Sequence, residues 1–390
     1  MTEPLVSVVI SVVIPCLNEE RTIAACVASA TAAIASLHAI GEVIVVDNGS
    51  TDRSAELAAA AGARVVPHDV KGYGSALKRG IAEARGRYII MGDADQTYDF
   101  GALPDFVQLL QEGADLVMGS RLRGTIQRGA MPWLHRWVGT PFLTAVLNLL
   151  FNTRISDANC GLRGFSAAAI RTLNLRCNGM EFASEMVVKA AQKRLVIRET
   201  PIDYFVSLPG RVPNLHTFRD GWRHLRFMLM LAPKYVFLFP GLIMSGLGFG
   251  FSLLFLLQDV SVSHIPLGLS ATMFVNAMSF MGIQIALFGV YAIAFSTSQG
   301  FAEEDWISRS IKKYFRLEWG LAIGSSILLF SVILGTFTIH LLIEISKPLT
   351  QVSIPVTKLA ALCIFLFLLG LQIVFSSFYL SLFDLGKTLE

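Results

Sequence analysis

The first 120 residues alternate between two hydrophobic periods. Short runs rich in Val and Ile (SVVIPC, EVIVVD, ARVVP, RYIIM, DLVMGS) are separated by stretches whose apolar residues recur every three to four positions (ERTIAACVASATAAIASL, DRSAELAAAAG, SALKRGIAEARG, LPDFVQLLQEG). Runs without polar alternation are strands buried on both faces, and strands separated by helices pair in parallel. The pattern therefore predicts an α/β fold with a Rossmann-like parallel sheet. Such sheets bind ligands beyond the carboxyl ends of their strands. The polar residues cluster there: Asn18 and Glu19 after the first run, Asp47 after the second, Asp93 and Asp95 after the fourth, Ser120 and Arg121 after the fifth.

The pattern changes past position 130. Residues 132–152, PWLHRWVGTPFLTAVLNLLFN, are too interrupted to span a bilayer; two Trp and many bulky apolar residues suit a helix in the membrane interface, or else a buried core helix. In TFRDGWRHLRFMLML, residues 217–231, helical spacing puts Arg219, Arg223 and Arg226 opposite Phe218, Trp222, Leu225 and Leu229, a second interfacial pattern. Four long apolar segments follow at about 235–257, 268–295, 320–345 and 356–382, each able to cross a hydrocarbon core. The expected division is a catalytic domain over 1–210, an interfacial amphipathic helix over 211–234, and a bundle of four transmembrane helices over 235–390. Arg309, Lys312, Lys313 and Arg316 lie between the second and third spans, and the other two connections hold only Lys347. The positive-inside rule then puts that loop, the catalytic domain and both termini in the cytoplasm of an integral membrane protein. Asn276, Gln284 and His340 read as helix-to-helix polar contacts, and the spans also offer a surface for homo-oligomers.

Composition agrees: 53% of residues are hydrophobic, and 32 Lys and Arg against 29 Asp and Glu leave a net charge of only +3, too small to argue for nucleic acid, so no nucleic-acid partner is expected and the lipid bilayer is. The five cysteines show neither CxxC spacing nor a His pattern, so neither a zinc site nor a disulfide framework is expected. The apolar stretch from Pro4 to Leu17 has no Lys or Arg before it and is too short to span, so it reads as a buried strand rather than a signal peptide.

Asp93 and Asp95, at i and i+2 where a buried strand meets solvent, can reach one hard cation. Mg2+ or Mn2+ so held keeps coordination sites for phosphate oxygens and stabilises a departing diphosphate. A DxD pair alone is common by chance; its place at the end of an apolar strand makes it informative.

In order and with suitable gaps, VSVVIPCLNEE, VIVVDNGSTD, KGYGSALKRGIAEARGRYIIMGDAD, DLVMGSR, SDANCGLRGF and EFASEMVVKA resemble the successive motifs of GT-A fold inverting glycosyltransferases. They particularly resemble the polyprenyl-phosphate type, which includes dolichol-phosphate mannose synthase and bacterial bactoprenol glucosyltransferases. The resemblance covers about the first 230 residues. It implies that Pro15, Asn18, Glu19 and Asp47 surround the nucleotide base and ribose, and that Lys71 and Gly72 approach the nucleotide-sugar. Asp93 and Asp95, with Gln96 as a further metal ligand, would hold ribose and Mg2+ or Mn2+. It also implies that Arg121 contacts the phosphates where donor and acceptor meet, that Asp157, Cys160 and Arg163 lie around the acceptor phosphate, that Glu181 or Glu185 lies beside the sugar, and that Arg211 begins the family's RxGxSK stretch. Four positions depart from the family pattern: Asn48 stands where many relatives have Asp, Gln96 is displaced by one position, Arg211 is not followed by Ser-Lys, and Cys160 stands where Ser is frequent.

A polyprenyl phosphate is already an anion at neutral pH, so its attack on a nucleotide-sugar needs positioning and charge screening more than a strong base. Arg121 and Arg211 can supply these, with Arg154 and Arg163 as further candidates. GDP-mannose and UDP-glucose lead among donors, with UDP-galactose and N-acetylhexosamine nucleotides behind them. The alternatives are a processive polysaccharide synthase, whose QxxRW motif is missing here, and a transporter or flippase with a cytoplasmic nucleotide-sugar-binding module.

Overall fold

A computed structural model describes residues 9–208, 217–257, 261–262, 265–266, 269–314, 316–344 and 354–388. Arg211 lies outside the described residues. The chain divides into two compact units, Met1–Leu229 and Met230–Glu390.

The first unit is built on strands β1 (Ile10–Cys16), β2 (Gly41–Asp47), β3 (Arg64–Pro67), β4 (Tyr88–Met91), β5 (Leu116–Ser120), β6 (Arg163–Ser166) and β7 (Ile197–Pro201). They form one sheet in the order β3-β2-β1-β4-β6-β5-β7. Helices α1 (Ile23–Ser36), α2 (Ser54–Ala60), α3 (Tyr73–Glu83), α4 (Leu103–Gln111), α5 (Thr140–Phe151), α6 (Ala167–Leu173) and α7 (Phe182–Gln192) cover it, with a core on each face. The five expected strands are present, but the sheet is mixed rather than parallel. β6 runs antiparallel between β4 and β5, a place that a four-residue strand with no apolar run did not signal. Because β4 and β5 are both antiparallel to β6, they run alike, so their carboxyl ends share an edge with those of β1, β2 and β3.

The 132–152 segment has two faces. A π-helical turn over His135–Gly139 leads into α5; Thr140, Leu143, Thr144 and Leu147 are buried, whereas Trp133 (69%), Phe142 (53%) and Leu149 (80%) are exposed. Helix α8 (Thr217–Leu231) packs on a face that the arginines, Phe218 and Trp222 do not occupy. Its inward residues are Asp220, His224 and Met228, four apart, while Phe218 and Trp222 are exposed along with the arginines. The polar pair is accommodated because the His224 Nδ1 is 2.8 Å from the Ser184 hydroxyl.

The second unit holds α9 (Phe239–Leu257), α10 (Leu269–Ser298), α11 (Trp306–Tyr314), α12 (Leu317–Glu344) and α13 (Ile354–Thr388). Four stretches are long and apolar enough to cross a membrane: Lys234–Leu257, Leu269–Ser298, Leu317–Ile343 and Val356–Leu382. Small residues let α9 and α10 approach closely: a Cβ on Gly241 would stand 2.4 Å from the Ala286 nitrogen, and one on Gly282 would stand 2.3 Å from that of Ser245. Between α10 and α13, the Gln284 amide donates to Gln372 at 3.0 Å and the Tyr291 hydroxyl to Ser376 at 2.6 Å.

Candidate active site

The loops after β1, β2 and β3 interlock through side chains. Asn18, in a left-handed backbone conformation (φ 55°), accepts from the Thr51 nitrogen at 2.8 Å, and its own nitrogen donates to the Ser50 hydroxyl at 3.0 Å. The Glu19 nitrogen donates to Ser54 at 2.7 Å, Asp47 accepts from the Ser50 nitrogen at 3.0 Å, and Pro15 is a half-buried residue on β1. Asn48 is the hub. Its amide donates to the carbonyls of His68 (2.9 Å) and Val70 (2.8 Å) and accepts from the Gly72 nitrogen (2.8 Å). Aspartate could not donate either bond, which accounts for Asn at a position where a second carboxylate is common. Lys71 donates to the carbonyls of Asn48 and Gly49 at 2.8 and 3.2 Å. Gly72 has φ 134° and a Cβ there would stand 2.3 Å from the Asn178 oxygen, so both conformation and space require glycine.

Beyond β4 the two carboxylates are oriented separately. Asp93 Oδ1 accepts from the Tyr73 hydroxyl at 2.9 Å; Asp95 Oδ1 accepts from the Thr97 nitrogen at 3.1 Å and its hydroxyl at 2.5 Å. Gln96 between them and Thr97 is left-handed (φ 59°), uncommon outside Gly and Asn, and half-buried. Burial, reinforced by the Asp93 charge, pushes the Tyr73 hydroxyl well above its ordinary range, so it remains a donor. The donor set fits a hard divalent ion. Among the described residues no cluster of three or more His, Cys, Asp or Glu side chains forms a metal site; a Mg2+ or Mn2+ held by these two carboxylates would need phosphate oxygens and water for the rest of its shell.

Beyond β5, Arg121 is 8% exposed and paired with the fully buried Asp157: Nε to Oδ2 at 2.7 Å and Nη2 to Oδ1 at 2.8 Å. The guanidinium lies 5.2 Å over the Tyr204 ring, which packs on Tyr98 at 5.3 Å. Burial opposes the charge on Arg121, but Tyr98 and Asp157 more than offset it, keeping the group well above its ordinary value. Nη1 is the edge that Asp157 leaves available.

Residues 157–161 join these parts. Asp157 holds Arg121; the Gly161 nitrogen donates to the Tyr98 hydroxyl at 2.9 Å; and Gly161 leaves room for Asp93, since a Cβ there would stand 2.5 Å from Asp93 Oδ2. The segment expected around an acceptor phosphate is thus a strap that holds Arg121 at one end and lies against Asp93 at the other.

Three expected site residues belong to the interior instead. Arg163 is 0% exposed and donates to the carbonyls of Cys160 (2.9 Å), Ala158 (2.9 Å) and Ala183 (2.5 Å), so it binds the strap to α7 rather than a phosphate; burial lowers its pKa. Cys160 is fully buried, its thiol pushed up to about 12 by burial. Glu185, also fully buried, pairs with Lys189 at 2.9 Å and accepts from the nitrogens of Arg176 and Cys177. Glu181, just before α7, is half-buried, with Oε2 buried and lacking a hydrogen bond. Arg154 stands in a separate cavity. Sequence reasoning missed Tyr73, Tyr98 and Tyr204; the first follows Gly72 directly, and the other two carry no local signal.

Residues 11–173 match the model of Glycosyl transferase family 2, and residues 290–384 match that of the Glycosyltransferase family 2 C-terminal transmembrane region. The chain is 40% identical to the low-salt glycan biosynthesis hexosyltransferase Agl6 of Haloferax volcanii, over 95% of this chain and 88% of that protein. The chain belongs to glycosyl transferase family 2. A dolichyl-phosphate hexose transferase of the same organism is 31% identical over 42% of this chain and 69% of its own length. The glucosyl-3-phosphoglycerate synthase of Mycobacterium tuberculosis, solved with Mn2+, UDP-glucose and phosphoglyceric acid, is 26% identical; the match covers 57% of this chain and 78% of that one, with a TM-score of 0.46. As a family 2 member with four spans and the family's transmembrane region, the protein is a membrane glycosyltransferase with a GT-A domain.

Proposed function

We propose that the protein transfers a hexose, with inversion, from a nucleotide-sugar (GDP-mannose or UDP-glucose first) to polyprenyl phosphate at the cytoplasmic face of a membrane. The observation that supports this reading is the strap: Gly161 lies against Asp93, and Asp157 holds a buried arginine whose Nη1 it leaves for an anion. The names of the two Haloferax volcanii relatives support the hexose and the lipid phosphate, and the basic loop around α11 supports the cytoplasmic orientation.

The division of labour follows from charge. Asn18, Glu19, Asp47, Lys71 and Gly72 line the loops for base, ribose and diphosphate. Glu181, with an unsatisfied carboxylate oxygen, is the group available to a sugar hydroxyl. When bound at Asp93 and Asp95, with Gln96 alongside, Mg2+ or Mn2+ would neutralise charge on the departing diphosphate. Arg121, held rigid by Asp157, orients the acceptor phosphate; a phosphate oxygen forms the bond to the anomeric carbon as the bond to the diphosphate oxygen breaks, and no proton must first be removed. Arg211 is proposed to contact the same phosphates. Exposed Trp133, Phe142 and Leu149 suit a surface at which a lipid headgroup emerges.

The test is a donor panel with the full chain, a polyprenyl phosphate, Mg2+ or Mn2+, and labelled GDP-mannose, UDP-glucose, UDP-galactose and UDP-N-acetylglucosamine, scored for label in the lipid phase. Label from one donor, lost on chelation and in Asp95→Ala, is expected. No label from any donor, with lipid shown competent by another enzyme, would overturn the reading.

A further inference from the structure

The catalytic unit contains a cavity of about 640 Å³ lined by none of Asp93, Asp95 and Arg121. Three arginines line it: Arg123 beyond β5, Arg154 beyond α5 and Arg194 beyond α7. The chain reaches the last two through left-handed residues, Asn152 (φ 53°) before Arg154 and Arg194 itself (φ 57°). The lining carboxylate, Glu199, is 3.7 Å from Arg123 and already accepts from the Ser156 nitrogen at 2.6 Å and from its hydroxyl. Among the described residues, no carboxylate lies within ion-pair distance of Arg154 or Arg194. The lining therefore carries an excess of two positive charges. Phe151, Ile155, Leu195 and Ile197 form an apolar wall beside them.

We propose that this cavity is a second anion site that binds a phosphate monoester, apart from the reaction centre. Arginine forks match phosphate oxygens in a bidentate manner, and three arginines lining one cavity, each also open to solvent, exceed what one carboxylate can neutralise. The volume exceeds that of a bare phosphate, and the apolar wall suits carbon attached to it. Such a group reaches the cavity either as a lipid headgroup, along the exposed face of α5 that carries Phe142 and Leu149, or as a soluble phosphate. Glu199 stands between the site and the reaction centre, since it also receives the Asp157 nitrogen at 3.4 Å. The assignment does not depend on which donor or acceptor the enzyme uses.

Arginine modification tests it residue by residue. The full chain in a neutral detergent is treated with phenylglyoxal at fixed ionic strength, alone or with inorganic phosphate, dihexanoyl phosphatidic acid or dihexanoyl phosphatidylcholine, and adducts are quantified by peptide mass spectrometry. Modification of Arg154 and Arg194 should slow roughly fivefold at about four times the probe's Kd, from 1 + [L]/Kd, while exposed Arg53 and Arg128 remain unchanged. Protection by phosphatidic acid alone assigns a lipid headgroup; protection by inorganic phosphate as well assigns the phosphate group itself. Arg194→Gln should return Arg154 to its unprotected rate. Protection confined to Arg121, equal protection by phosphatidylcholine, or no protection at Arg154 and Arg194 would overturn the site.

Discussion

Asp157→Asn keeps the side chain's size and removes its charge. Arg121 is 8% exposed and Asp157 fully buried, so the variant leaves a guanidinium without a counter-ion in a region that water hardly reaches. It also turns an amide NH2 toward Nε or Nη2, which both now donate to Asp157. Breaking a buried pair on one side costs about 3–5 kcal/mol. For a unit of this length, roughly 2–4 °C is lost per kcal/mol, so the midpoint should fall by about 6–20 °C. Unfolding can be followed in the full chain by thiol labelling of Cys160, which is buried at the end of the same strap. The double variant Arg121→Met with Asp157→Leu removes both charges and should recover at least half of the loss while remaining inactive, because an apolar pair of similar volume tolerates burial. A shift under about 2 °C in Asp157→Asn, or losses that simply add in the double variant, would refute the argument that the two groups hold each other in place.

Gly161→Ala puts a Cβ 2.5 Å from Asp93 Oδ2 and should lower turnover about 100-fold, the scale of a 1 Å misplacement, with little change in thermal midpoint; unchanged turnover would show that Asp93 is positioned otherwise. Asn48→Asp removes two donors from part-buried carbonyls and faces them with a carboxylate, a loss of about 1–3 kcal/mol that the same unfolding assay reads, and a neutral result would remove Asn48 as the hub of the nucleotide loops. His224 has its pKa lowered, first by burial and then by Arg163, so the unfolded chain takes up the proton before the folded one does. Stability should be complete above about pH 6.5 and should fall as pH drops below it, by at most about 1.4 kcal/mol per unit, until the folded imidazole itself protonates; His224→Gln should flatten that slope, and an identical slope in the variant would exclude His224 as its source.

What could be read from the chain was what local pattern encodes. Val- and Ile-rich runs marked five strands, and four long stretches almost free of charged residues marked the spans, because a strand buried on both faces and a helix long enough to cross a bilayer both exclude charge. Asp93 and Asp95 were legible because a carboxylate pair directly after such a run has few structural uses. β6 was not, since a strand of four residues, RGFS, has neither length nor alternation, and its antiparallel insertion is decided by the edges of β4 and β5. The inward face of α8 carried no sequence signal: spacing separates the arginines from Phe218 and Trp222, but only the partner surface decides which face turns inward, and Ser184 favours His224.

Arg163, Cys160 and Glu185 show why residue type misleads near a site. An arginine or glutamate beside a motif reads as a ligand for substrate, because charged side chains are seldom fully buried. Glu185 carried a contrary local sign, a lysine four residues on at Lys189, the spacing of an intrahelical ion pair. Arg163 carried none; its three carbonyl acceptors come from Cys160, Ala158 and Ala183, and only the folded strap brings them together. The burial that removes these groups from substrate also makes the strap rigid. Arg163 ties its carbonyls to α7, Asp157 fixes Arg121, and Gly161 fixes Tyr98 and makes room for Asp93. Their contribution to chemistry therefore runs through the distance between a carboxylate edge and an arginine, and a change at Arg163 should act on the positions of Asp93 and Arg121 together, not on either alone.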